Sequence, residues 1–154
     1  MTKIRNMAWV AAALGTAALA TGVAHAVVVK GRGELLARGN GVAVLELRGA
    51  VSASGIGLAV VDEDALVETT GEGRVTPLGD GRLLLEGFGG LVLRSPDEPT
   101  RLELAGARLR LRARGVGVAR LHGTGSYSTD DSDGRWGAEL SIELDPGQEG
   151  DGVQ

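Results

Sequence analysis

Four arginines at alternate positions in the second half of the chain are the residues whose type and spacing best suit chemistry. They fall within the stretch RLRLRAR, where a leucine or an alanine separates each from the next: Arg108, Arg110, Arg112 and Arg114. Alternate side chains of a β-strand share one face about 7 Å apart, so the four guanidinium groups would form a row. Such a row could bind carboxylate, sulfate or phosphate groups along a polymer, because the planar guanidinium matches these anions.

The same arginines also have a purely structural interpretation, in which each pairs with an acid on a neighbouring strand. The acids that suit this pairing are Glu86, Glu103, Glu139 and Glu143. Exposed pairs of this kind each contribute little to stability. Both interpretations stay open, and the four arginines are the predicted binding residues.

Closely spaced glycines raise a second possibility, a loop that binds phosphate. The stretch GEGRVTPLGDGRLLLEGFGG at residues 71–90 holds three Gly-x-Gly pairs. No Gly-x-Gly pair in the chain has a third glycine three residues later, and no Gly-Lys-Ser/Thr motif is present. The dinucleotide and nucleotide fingerprints are therefore absent, and we expect these glycines to punctuate strands. No cofactor is predicted.

Acidic residues cluster twice, at 62–64 and at 130–133. The second cluster, with Gly134 after it, resembles part of a calcium loop. Thr129 and Leu140 stand where the full loop would place an acid and a glutamate. We expect both clusters to be solvated turns and predict no metal site.

A histidine-dependent triad would have to use His122, with Ser126 or Ser128 as the nearby hydroxyl. No nucleophile elbow surrounds these serines. The chain has no cysteine, which excludes thiolate catalysis, disulfides and Cys-type zinc sites. We predict no catalytic residue, although an enzyme with paired carboxylates stays open as an alternative.

The elements that must position these residues follow an eight-residue spacing. Counted from Gly31, six of the first nine eight-residue units begin with Gly-x-Gly, and their fifth and seventh positions are mostly apolar. Positions five and seven lie on one face of a strand, so each unit predicts a short turn followed by a short strand. No sustained helical spacing follows residue 30. The sequence predicts an all-β domain.

Three units make 24 residues, the length of one coil in a parallel β-helix. Such a solenoid of about four coils would stack Leu35, Ala59 and Leu83 in one inward column. An antiparallel β-sandwich or barrel is the alternative, because strands spaced eight to twelve residues apart suit it equally. After Asp130 the spacing ends, and we expect a turn at 132–134 and a final strand at 136–144.

The first residues differ from the rest of the chain. Lys3 and Arg5 precede an apolar stretch from Trp9 to Ala20, and Ala24-His25-Ala26 follows. These are the three parts of a secretory signal, with cleavage after Ala26 and a mature chain beginning at Val27. An uncleaved membrane anchor and a buried helix are the alternatives. Either export signal would place the domain outside the cytoplasm, as a secreted, periplasmic or cell-surface protein.

The predicted organisation is therefore a signal peptide or anchor at 1–26, an all-β domain at 27–145 and a disordered tail at 146–154. Loss of Lys3 and Arg5 would leave 14 of the 16 basic side chains against 20 acidic ones, a net charge of −6. An acidic chain is a poor general partner for nucleic acid. The expected partner is a cell-surface polymer or an envelope protein, with membrane contact only through an uncleaved leader.

The repeated Gly-x-Gly units, as in GRGELLARGNGVAVLE and GDGRLLLEGFGG, resemble the strand punctuation of small exported bacterial β-proteins of unknown function. They are also similar to the β-helical head domains of adhesins. The likeness covers about residues 31–130 and offers no functional residue to carry over. The first functional prediction is an exported envelope protein that acts as a non-enzymatic structural or interaction module. The alternatives are a module that binds an anionic glycan or polymer through the arginines of 108–114, and an extracytoplasmic carbohydrate-active enzyme.

Overall fold

A computed structural model describes residues 27–145, and these residues form an all-β domain, as predicted. The predicted signal peptide or anchor (1–26) and tail (146–154) lie outside the described residues. The eight strands are β1 (Val27–Arg32), β2 (Glu34–Asp62), β3 (Leu66–Thr70), β4 (Arg74–Pro77), β5 (Arg82–Glu86), β6 (Gly90–Ser128), β7 (Asp133–Arg135) and β8 (Leu140–Asp145). Within 27–145 there is no helix with the length and apolar character needed to cross a membrane.

The strands form one mixed sheet whose path runs β1-β8-β6-β2-β5-β4, with β3 and β7 paired to β6. Pairings between these strands are antiparallel except for β1 with β8. The 29-residue β2 and the 39-residue β6 dominate the sheet. They pair along both edges of β2, so the centre of the fold consists of two long strands rather than many short ones.

The pairings sort the segments of β2 and β6 into two layers. The first layer contains β3, β7 and the segments 34–38, 50–54, 90–94, 109–114 and 126–128. The second layer contains β1, β4, β5, β8 and the segments 41–47, 58–62, 100–106 and 117–123. Each long strand bends from one layer into the other every eight residues or so, and both layers turn their buried side chains to one apolar core.

Alternation places this core on the odd-numbered residues of β2, and Val60 is the one even-numbered residue of that strand that is also buried. Pairs of buried odd residues recur at 35 and 37, 43 and 45, 51 and 53, and 59 and 61. Glycines between them, at 39 and 41, at 49, and at 55 and 57, continue the same odd-numbered series at the bends. An inward side chain at a bend would collide with the strand folding towards it, and glycine has none. The eight-residue unit is therefore two core residues and a bend, not a turn and a strand.

The bends of β2 and β6 face each other as glycine pairs. Five such pairs are in register: Gly39 with Gly125, Gly41 with both Gly123 and Gly106, Gly49 with Gly115, and Gly57 with Gly106. Gly41 has φ +139°, which side chains rarely adopt, and a Cβ there would lie 2.9 Å from the Cα of Gly123 and against the carbonyl of His122. The close approach of the two backbones thus requires glycine.

The prediction of a turn in every unit is wrong for β2 and β6 but right for the stretch between them. Gly71 and Gly73 separate β3 from β4, and the next glycine pairs separate β4 from β5 and β5 from β6. A hairpin joins β4 and β5, closed by the Leu78 amide that donates to the Arg82 carbonyl at 2.9 Å. The glycines of 71–90 are turn glycines, as the sequence indicated.

The structure does not show the parallel β-helix. Leu35 pairs with Ala113, and Ala59 pairs antiparallel with Leu85 and Leu104, so the predicted column does not form. A solenoid pairs parallel strands one coil apart, whereas β2 closes its ladders with residues up to 92 positions away. The strand sense agrees with the antiparallel alternative.

A bulge in β6 changes which positions are buried after Gly106. The register of β6 against β2 shifts by one residue between Gly106 and Leu109, and buried positions change from even to odd numbers there. Arg108 has φ 53° in this bulge, and its amide donates to Asn40 Oδ1 at 2.8 Å. The bulge turns the following arginines to the outer face.

The last strand follows the predicted alternation over a shorter span. β8 begins at Leu140, and Leu140, Ile142 and Leu144 are buried while Glu143 is exposed. The turn predicted at 132–134 is wrong: the turn lies at 129–132, where the Thr129 amide donates to the Ser132 carbonyl at 2.7 Å, and Asp133 and Gly134 belong to β7. β8 covers one edge of β6, as expected of a closing strand.

Candidate functional site

The arginine row lies on the outer surface of the first layer. All four arginines are exposed, and the apolar residues between them are buried in the core. Arg108 sits in the bulge, whereas Arg110, Arg112 and Arg114 follow in regular strand. The predicted face therefore exists, but its members have different surroundings.

Arg112 and Arg114 share one acid that the sequence did not single out. Arg112 Nε lies 2.7 Å from Glu34 Oε1, and Arg114 Nε lies 2.7 Å from Glu34 Oε2. The Glu34 side chain is only 13% exposed, and its hydrogen bond from Arg112, together with the charges of both arginines, lowers its pKa. The predicted partners were wrong: Glu34, directly opposite Arg114, fixes two of the four arginines in place.

Because the pKa of Glu34 is lowered, the effect of Glu34→Gln on the stability of the domain should depend on pH. A carboxylate with a folded-state pKa below its unfolded value of 4.5 stabilises the fold above that value. We expect wild type to be the more stable at neutral pH, and the difference to shrink as the pH falls below 4.5 and through the lowered folded-state pKa of Glu34. Urea unfolding of both proteins across this range measures it. Asp80 and Asp131 also have lowered pKa values, but they are present in both proteins and cancel in the comparison. A difference that stays constant with pH would contradict the role of Glu34.

Arg110 has a different neighbour, another arginine. Arg38 lies directly opposite Arg110 across β2 and β6, and both are exposed. Within residues 27–145 no acidic group lies in ion-pair distance of either. Like charges directly opposite on a sheet destabilise it. This pair is therefore an unneutralised concentration of positive charge.

On the outer face of the second layer, by contrast, the arginines are paired with acids. There Arg101 lies directly opposite Glu46, with 2.6 Å between Arg101 Nη1 and Glu46 Oε1. Arg101 Nε also lies 2.7 Å from Glu103 Oε1, and Arg120 lies 3.7 Å from Glu46. At the equivalent positions of the two layers, one has an ion-pair network and the other has two facing cations.

A groove of about 340 Å³ runs over the Arg38–Arg110 pair. Leu36 and Val92 contribute apolar surface to it, and its polar lining comes from Arg38, Ser52, Ser54, Glu68, Thr70, Arg110 and Arg112. A second recess of about 230 Å³ continues it, because the two share Ser52, Val92 and Arg112. We call the two together the arginine groove.

Charge in the arginine groove is strongly positive on an acidic chain. Its lining holds five arginines and two glutamates: Arg38, Arg94, Arg110, Arg112, Arg114, Glu34 and Glu68. The whole chain carries a net charge of −4. Glu34 is paired with Arg112 and Arg114. Glu68 lies 3.8 Å from Arg94, and the side chains of Glu68 and Arg94 are both more than half exposed. The groove can therefore attract anions that the rest of the surface repels.

Each of the two acidic clusters contains an aspartate that accepts a hydrogen bond from a backbone amide. Asp131 Oδ1 accepts hydrogen bonds from the Arg32 amide at 3.0 Å and from Thr129 Oγ1 at 2.9 Å. Asp62 Oδ2 accepts one from the Arg101 amide at 3.1 Å. In the part of the chain that the structure describes, no three His, Asp or Glu side chains come together as metal ligands.

His122 is exposed on the second layer, where its Nδ1 contacts the carbonyl oxygen of Ala138. Among the described residues no hydrogen bond joins it to Ser126 or Ser128. Gly123 and Gly125 bend the strand between the histidine and these serines. The three aromatic residues of the domain, Phe88, Tyr127 and Trp136, are buried in the core rather than exposed along the groove.

Sequence reasoning missed Arg38, Glu34 and Glu68 as members of the site. Arg38 and Glu34 occupy outward positions in the first eight-residue unit, which the alternation alone could have indicated. Nothing local in the sequence shows that they face residues 72 and 80 positions further on.

No known protein family, curated protein or solved structure matches this chain.

Proposed function

We propose that the chain is an exported, non-enzymatic module of the cell envelope that binds an anionic polymer along the arginine groove. The observation that carries the proposal is the unneutralised Arg38–Arg110 pair in a groove with five arginines and two glutamates. Facing cations destabilise the free protein, and an anion placed between them would remove that repulsion. The export signal predicted at residues 1–26 supports a location outside the cytoplasm.

The form of the groove favours a polymer over a small molecule. The two recesses share a wall and follow each other along the strands of the first layer. The first recess extends across five neighbouring strand segments, from Leu36 to Thr70, so an extended chain could lie in it. A cell-surface polymer with repeated negative charges, or an acidic segment of an envelope protein, has this form. Net negative charge elsewhere on the protein would repel a long nucleic acid, which supports a different class of polymer.

The arrangement of the acids supports a role without catalysis. Hydrolysis of a glycosidic bond usually needs two carboxyl groups that act together across the substrate. The groove offers Glu34 and Glu68, and both oxygens of Glu34 lie 2.7 Å from arginine nitrogens. Such ion pairing keeps Glu34 ionised and disfavours it as a proton donor.

Retention on an immobilised polyanion tests the proposed function. We expect the domain to bind polygalacturonate in low salt, not to bind neutral dextran, and to lose affinity as salt increases. The variant Arg38→Gln/Arg110→Gln should bind about tenfold more weakly for each arginine removed, since each loses a charge-assisted hydrogen bond.

The matched control is Arg48→Gln/Arg74→Gln, which removes the same charge from exposed arginines outside the groove. It should bind almost as well as wild type. Equal losses in the two double variants would mean that net charge, not the groove, governs retention. No retention of wild type on any polyanion would defeat the proposed function.

A further inference from the structure

The lining of the arginine groove contains groups that a bare polyanion cannot use. The carboxylate of Glu68 and the hydroxyl groups of Ser52, Ser54 and Thr70 lie in the same recess as the Arg38–Arg110 pair. The Ser52 and Ser54 hydroxyls make no hydrogen bond to another described residue, and Thr70 Oγ1 donates only a long one to the Gly90 carbonyl, at 3.4 Å. These groups are available to a ligand.

Glu68 is the most selective of these groups. An ionised carboxylate only accepts hydrogen bonds, so it favours a ligand that carries hydroxyl donors. The phosphates of a polyphosphate or the sulfates of a heavily sulfated chain are acceptors as well, and they would meet Glu68 with like charge. Its pairing with Arg94 at 3.8 Å is loose, because both side chains are more than 60% exposed. Glu68 therefore weakens the binding of a densely charged anionic ligand.

The apolar surface indicates the same kind of ligand. Leu36 is 44% exposed on the outward side of β2, and the half-buried Val92, three strand segments away in the same layer, lines both recesses. A sugar ring has C–H surfaces that can cover such side chains, which a phosphate or sulfate group cannot do. The groove therefore matches a sugar that has both a carboxylate and free hydroxyl groups. The arginine pair suits the carboxylate, Glu68 and the serine and threonine hydroxyls suit the hydroxyl groups, and the apolar side chains suit the ring.

We propose that the ligand of the arginine groove is a carboxylated glycan, a polymer of uronic-acid type, rather than a polyphosphate or a highly sulfated chain. This inference rests on the proposed function. One sugar carboxylate lies between Arg38 and Arg110, with its ring on Leu36. A following sugar of the same polymer covers Val92 and donates hydroxyl groups to Glu68. Selectivity among polyanions then depends on Glu68, and affinity for all of them depends on the arginines.

Competition against labelled oligogalacturonate tests the inference in the wild-type domain and in Glu68→Gln. We expect wild type to bind oligogalacturonate more tightly than polyphosphate or dextran sulfate of equal charge. Glu68→Gln should lose about tenfold in affinity for oligogalacturonate, because a hydrogen bond to a charged group is lost, and should bind polyphosphate as well as or better than before. Glu72→Gln is the matched control, an exposed acid outside the groove that should leave both affinities unchanged.

Each outcome separates the two proposals. Polyphosphate or dextran sulfate that competes as well as oligogalacturonate would overturn the inference and leave the proposed function standing. Equal weakening of all ligands by Glu68→Gln would also overturn it, with the thermal unfolding midpoint confirming that the variant is folded. Failure of every polyanion to bind would instead defeat the proposed function.

Discussion

Gly41→Val is expected to destabilise the domain severely. The new Cβ would lie 2.9 Å from the Cα of Gly123 and against the His122 carbonyl, on a backbone with φ +139°. Backbone strain and overpacking together should cost about 3 kcal/mol or more. That is a large part of the 5–15 kcal/mol that typically stabilises a domain, so circular dichroism and urea unfolding should show the loss directly.

Gly137→Val is the control, because a Cβ at Gly137 meets nothing within 4 Å and its backbone is not in the left-handed region. It should unfold at nearly the wild-type urea concentration. If Gly41→Val were as stable as Gly137→Val, the two strands could not approach as closely as described. The bend would then have to be explained without the glycine pairs.

Leu45→Ala should have the second largest effect. Leu45 is fully buried and lies opposite both Leu102 and Ala119 at the centre of the second layer. Removing a buried leucine side chain typically costs about 2–5 kcal/mol, because the lost contacts leave a cavity. Leu36→Ala is matched to it, since Leu36 is on the same strand but faces outward and is 44% exposed.

We expect the outward variant to lose less than about 1 kcal/mol, and thermal or urea unfolding of the two variants compares them. The residues are nine positions apart with a glycine bend between them, so the comparison tests whether alternation continues unbroken through the bend. Similar losses at both positions would show that it does not.

The sequence predicted the strands because alternation is a local property. The inward series of buried residues, the acidic outer side of β8 and the turn glycines of 71–90 can all be derived from neighbouring residues. Long-range pairing cannot be derived in this way. Glycine at an inward position of a bend and glycine in a hairpin turn give the same Gly-x-Gly pattern, so the spacing of eight suggested short strands where β2 and β6 are continuous.

The site was predictable only in part, for the same reason. Alternation placed Arg110, Arg112 and Arg114 on one outer face, as observed. Which of them is neutralised depends on what β2 places opposite, and that depends on the register set by the glycine pairs and the bulge at Arg108. A shift of two residues would place Arg38 opposite Arg112 instead of Arg110, or Glu34 opposite Arg112 instead of Arg114, and would give the row a different distribution of charge.

The facing arginines imply a compromise between stability and binding. Arg110→Gln should be no less stable than wild type in the absence of ligand, because it removes a repulsion and no ion pair. Arg112→Gln, which loses the 2.7 Å contact with Glu34, should not share this property. Residues that lower the stability of the free protein are typical of binding surfaces.

The most direct measurement of the central claim is an NMR titration of the arginine Nε–Hε signals with oligogalacturonate. If the unneutralised pair receives the anion, the signals of Arg38 and Arg110 move first and furthest, and those of Arg48 and Arg74, outside the groove, stay in place. Signals that do not move, or that move equally over all exposed arginines, would contradict the assignment of the arginine groove as a binding site.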